Sequence, residues 1–205
     1  MDLDELLSIF FSDGNKLQGI AGEQILSQVG NEELDLDQAQ KVCLQLMPVT
    51  LNMECTTTKL RILLRMLTSK VYKDGIAPLL NMECILSNLP IYGTSDPCVI
   101  VEALRIISVS APLNPLSPQQ WQDVGFSIDM ILQASQHSGL LAEAWRLMYQ
   151  VLSSFDTHCH GMFAYIDILE CLQQTDFSIL QQNDDELDIV SQVFAGRLIY
   201  FPCSD

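Results

Sequence analysis

Apolar segments with helical spacing begin at a constant interval along this chain. Their starts fall near residues 56, 97 and 139 in one series and near 76, 118 and 161 in another, so every second start recurs after about forty-two residues. That interval holds two helices and their turns, and each such pair has an oily side that only a neighbouring pair can cover. The chain is therefore expected to be all-α, a stack of antiparallel helix pairs with about ten helices. Their spans are expected near 2–11, 15–29, 38–47, 56–70, 75–88, 97–110, 118–135, 139–154, 161–173 and 185–198. Residues 1–48 form N-terminal helices with an acidic linker at 31–37, residues 49–198 the repeat region, and 199–205 a short tail, all within one continuous domain.

Several starts have a legible cause. Ser95-Asp96-Pro97 offers a side-chain oxygen to the orphan amides of a first turn, then a proline where a missing N–H costs nothing. Ser117-Pro118-Gln119-Gln120 repeats the device and adds Gln at capping-box spacing. After Ser138-Gly139, the residues Leu140, Leu141, Ala144, Leu147, Met148, Val151 and Leu152 make one apolar stripe opposite Glu143, Arg146 and Gln150. The segment after Pro97 is apolar nearly all round, with Glu102, Arg105 and Ser108 as a narrow polar stripe. Such a helix needs cover on several sides. Its Val and Ile residues would also suit a buried β-strand, which its thirteen-residue length and its cap disfavour.

Residues 76–109 carry a family resemblance. Ile76-Ala77-Pro78-Leu79-Leu80 resembles the first helix of a HEAT unit, and Asp96-Pro97-Cys98-Val99 with Ala103-Leu104 and Ile107 resembles its turn and second helix. Ile100 stands where those repeats often carry a basic residue. The resemblance to HEAT and armadillo repeats implies a right-handed α-solenoid whose surface binds another protein.

Ten basic against twenty-six acidic residues give a net charge of −16, which repels phosphate backbones, so nucleic acid is not an expected partner. The acidic N-terminus lacks the basic start of a secretory signal, and no apolar run reaches membrane-spanning length. Seven widely spaced cysteines, an odd number set mostly in apolar periodic context, read as reduced core thiols. An intracellular protein, cytoplasmic or nuclear, with no membrane association is expected.

Half of the basic residues fall within fifteen positions: Lys59, Arg61, Arg65, Lys70 and Lys73, with no acid among them. On a helical wheel Leu60, Leu63, Leu64 and Leu67 form the buried arc, and Arg61 and Arg65 stand one turn apart on the opposite side. This basic patch is the candidate dock for an acidic segment of a partner protein; the competing reading is a solvated helix face that neutralises nearby acids. His158-Cys159-His160 is the one metal-like cluster, and three adjacent ligand types converge poorly on a tetrahedral ion. No phosphate loop, nucleophile elbow or paired-histidine motif is present, so no catalytic residue, metal or cofactor is assigned. The functional expectation is a non-enzymatic adaptor or scaffold. The alternative is a structural subunit of a larger helical assembly, self-associating through the ends of its stack, and the least favoured is a Cys/His-dependent enzyme or zinc protein around Cys159.

Overall fold

The computed structural model describes residues 2–12, 16–47, 55–88, 97–134, 144–149 and 189–193. The chain is all-α, with no strand among the described residues. The Val- and Ile-rich segment is a helix, Pro97–Ser110, which removes the strand alternative. No helix among the described residues is long and apolar enough to cross a membrane. The fold divides into two units, one of residues 1–85 with 109–114, the other of residues 86–108 with 115–205.

In the first unit several starts and stops have a chemical reason. Helix α1 (Leu3–Phe10) begins where the Asp2 carboxylate accepts the Glu5 amide at 2.8 Å. It packs on α2 (Gln18–Gly30), whose Gln18 side chain donates to the Phe10 carbonyl at 2.7 Å and closes the end of α1. The close approach requires a glycine: a Cβ on Gly22 would lie 2.7 Å from Phe10 Cε2 and 2.9 Å from Thr58 Cγ2. Helix α2 ends in a Schellman turn, with Glu33 N–H on the Gln28 carbonyl and Glu32 N–H on the Val29 carbonyl. That turn places Glu32 at φ 57, the left-handed region that usually takes glycine.

Helix α3 (Leu36–Leu46) starts two residues before its expected position. Asp35 caps it and forms a reciprocal capping box with Gln38, so the last part of the acidic linker is already helix. Helix α4 (Thr56–Thr68) buries Leu60, Ile62, Leu63, Met66 and Leu67 completely, while Leu64 is half-buried. The helix expected over 75–88 is broken into α5 (Lys73–Ile76), a 3-10 turn (Ala77–Leu79) and α6 (Met82–Leu86). Pro78 is the cause, since its ring has no N–H to give and collides with the carbonyl four residues earlier. Asn114 Nδ2 donates to the Ala77 carbonyl at 2.8 Å and so supports the break.

Most polar contacts between the elements of this unit share one sequence offset. Lys41 with Asp4, Arg65 with the Gly30 carbonyl, Ser69 with Glu32, Tyr72 with the Leu34 carbonyl, Gln40 with the Gly75 carbonyl, and Asn114 with the Ala77 carbonyl join residues 35 to 38 positions apart.

In the second unit, α7 (Pro97–Ser110) runs mostly through residues with no exposed side chain, and α8 (Pro118–Ala134) carries the expected capping box. Ser117 N–H donates to Gln120 Oε1 at 2.9 Å, and the Gln120 amide returns to Ser117 Oγ at 3.3 Å. Trp121, Val124 and Ile128 form the buried stripe of α8. Residues 144–149 are helical with Ala144, Trp145, Leu147 and Met148 buried, and residues 189–193 are helical with Val190 and Val193 buried. The helix expected at 161–173 lies outside the described residues.

Candidate interaction surface

The basic stretch begins on α4, whose buried arc fixes which residues look outward. Arg61 and Arg65 are exposed on the outer side, as their spacing requires. Arg65 is also engaged: its Nη2 donates to the Gly30 carbonyl at 3.3 Å, completing the C-terminus of α2. Cations suit that end of a helix, where unsatisfied carbonyls gather.

Lys59 departs from the patch. It is only 6% exposed, and its ammonium stands 5.4 Å from the centroid of the Phe11 ring. Its alkyl stem is core and its charge faces an aromatic surface, as long cationic side chains permit. Phe11 in turn meets Phe10 edge-on, with centroids 5.2 Å apart.

Lys70 and Lys73 lie past the end of α4, in the corner that leads into α5; Lys70 is exposed and Lys73 half-buried. The structure therefore brings Arg61 and Arg65 together on one helix face, sets Lys70 and Lys73 on the next corner, and withdraws Lys59 beneath Phe11.

Ser69 pins that corner. Its hydroxyl donates to Glu32 Oε1 at 2.8 Å and accepts the Val71 amide at 3.0 Å. Tyr72, fully buried, donates to the Leu34 carbonyl at 2.9 Å. Its phenol is held above the usual range, chiefly by burial, with the carboxylates of Glu32, Asp35 and Glu33 adding to the effect. Burial pushes the Cys43 thiol up to about 11. Cys43 and Cys55 are buried thiols and Cys84 is half-buried, none of them in a disulfide.

Two features of this unit had no signal in the sequence. One is a shallow groove of about 430 Å³ between α1 and α3, lined by Asp4, Leu7, Ser8, Phe11, Lys41 and Gln45. The other is the exposure of two aliphatic side chains at the corner, Leu36 at 42% and Val71 at 55%. Among the described residues no group of His, Cys, Asp and Glu is placed to hold a metal ion. His158, Cys159, His160 and His137 lie outside the described residues, as do the acidic segment 183–188 and the tail 199–205. No family model matches the chain, and no curated protein matches its sequence at a significant level.

Proposed function

We propose that this chain is a non-enzymatic adaptor built of HEAT- or armadillo-like helix pairs, which holds an acidic segment of a partner protein against the outer side of α4 and the corner that follows. The observation that carries the reading is the division of α4: its apolar residues other than the half-buried Leu64 are wholly buried, while Arg61 and Arg65 project from the opposite side. The shared offset of 35 to 38 residues in the cross-helix contacts supports the solenoid part of the reading. Seven of the ten basic residues belong to the first unit, which concentrates positive charge in a chain of net charge −16. An intracellular setting, cytoplasmic or nuclear, belongs to the same proposal, supported by Cys43, Cys55 and Cys84 remaining thiols.

Affinity capture from cell extract, comparing the wild type with Arg61→Glu and reading both by quantitative mass spectrometry, tests the proposal. Partners should be depleted by the charge reversal and by added salt. An unchanged partner set would exclude the outer side of α4.

The structural-subunit reading draws on Leu17, just before α2, and Ile20 in its first turn, both large apolar residues that are exposed. Mass measured across a concentration series separates it from the adaptor, since a subunit without its assembly should self-associate.

A further inference from the structure

The stretch from Ala77 to Met82 cannot carry a helical ladder through Pro78, and groups from other elements hold it instead. The Ala77 carbonyl accepts from Asn114 Nδ2 at 2.8 Å. The Asn81 N–H, on the residue before α6, donates at 3.0 Å to Sδ of Met47, the C-cap of α3. Met82 Sδ, on the first residue of α6, accepts at 3.3 Å from the hydroxyl of Ser110, the last residue of α7. Two of these three contacts thus run through a thioether, a weak acceptor. Met47, Asn81, Met82 and Ser110 all belong to the first unit.

Access separates these two methionines from their neighbours in composition. Met66 and Met148 are fully enclosed, whereas Met47 keeps 7% of its surface and Met82 6%. Both therefore combine a sulfur that holds another element with some surface at the solvent. The fit at Met47 is also tight. An N–H···O bond alone spans about 2.9 Å, so an oxygen bonded to the sulfur on its accepting side cannot fit between atoms 3.0 Å apart, and Asn81 would have to move.

We infer that Met47 and Met82 form an oxidation-sensitive joint, which a small peroxide opens by converting the thioethers to sulfoxides and so loosens the start of α6 from α3 and from the end of α7. In that step a sulfur lone pair attacks one peroxide oxygen, and the S–O bond forms as the O–O bond breaks. The other oxygen leaves as hydroxide and takes up the proton that the transferred oxygen sheds, giving water. Sulfur loses two electrons and the peroxide gains them. The product is a polar group where the packing was built for an apolar one, and methionine sulfoxide reductases reverse it. Because Pro78 has already removed the ladder, the stretch before α6 has few other contacts to fall back on. The inference is independent of the adaptor reading.

The test treats the full chain with graded hydrogen peroxide, maps the oxygen gained at each methionine by peptide mass spectrometry, and follows the thermal melt. Met47 and Met82 should oxidise about tenfold faster than Met66 and Met148, and the melting midpoint should fall by about 5 °C as they do. Met47→Leu/Met82→Leu keeps the side-chain volume without an oxidisable sulfur, so its midpoint should hold under the same treatment. Oxidation elsewhere, thiols included, acts on wild type and variant alike. Methionine sulfoxide reductase should restore the wild-type midpoint. Oxidation of Met66 and Met148 at the same rate overturns the inference, as does an unchanged melt once Met47 and Met82 carry oxygen. A fall of equal size in the double variant assigns the loss to other groups and overturns it too. If the double variant does not fold, each single variant is read against its own untreated melt: a smaller fall than the wild type supports the joint, and an equal fall in both overturns it.

Discussion

Helices α4 and α7 are similar in length and both contain a polar stripe, yet they treat it differently. On α4 the stripe is Arg61, Arg65 and Thr68, all exposed. On α7 it is Glu102, Arg105 and Ser108, of which Glu102 is buried with 7% of its surface left, and Arg105 and Ser108 are half-buried. Glu102 lies 3.6 Å from Arg105 across one turn, which compensates part of the desolvation. The lesson is that a polar stripe does not by itself define an outer face. What decides is the width of the apolar arc beside it, since an arc that wraps nearly the whole helix demands cover that encloses the stripe as well.

The largest expected effect comes from reversing charge on each stripe. Glu102→Lys, which sets two cations together on the covered side of α7, should cost about 3 kcal/mol in urea unfolding. Arg61→Glu on α4 should stay within about 0.5 kcal/mol. Equal losses would break the comparison. Leu63→Ala and Leu104→Ala sharpen it from the other side: both residues are fully covered, and each truncation should cost about 2 to 4 kcal/mol whichever helix bears it.

A buried thiol poses the same question through pH. Cys43 is protonated in the fold up to about pH 11, against 9.0 for an unperturbed thiol, so the stability it contributes is complete below pH 9 and is lost as pH rises toward 11. Tyr72, raised in the same direction, steepens the alkaline fall. Unfolding free energy should drop by about 2 kcal/mol from Cys43 alone over that window, and Cys43→Ala should flatten the drop. The smallest effect compares two glycines of α2. Gly22→Ala meets Phe10 and Thr58 and should destabilise by about 1 to 2 kcal/mol. Gly19→Ala meets nothing within 4 Å and should stabilise by up to about 1 kcal/mol, measured by the same titration.

What was legible in the sequence depended on contiguity. The Ser117 cap uses residues adjacent in the chain and is present as their spacing implies, and the helices at Thr56 and Pro97 begin where the apolar pattern places them. The break at Pro78 is masked in the sequence because the apolar pattern around it continues uninterrupted, so periodicity alone predicts one helix. Lys59 reads as one of the exposed cations by its charge, but its four-carbon stem is buried, and the ring it meets, Phe11, follows α1, far away in sequence. The α1 and α3 groove and the exposure of Leu36 and Val71 arise from elements far apart in sequence, where no local pattern reports the neighbour.

The turn between α2 and α3 shows what a fixed cross-helix offset entails. Gly30, Glu32 and Leu34 each meet a residue 35 to 38 positions later, so the connection is cut to length like a link between two meshed racks. Surface turns ordinarily absorb an added residue with little consequence. Here one extra residue after Gly30 would leave Arg65 in place while sliding Glu32 and Leu34 past Ser69 and Tyr72, which makes this short acidic turn a place where chain length matters more than residue identity.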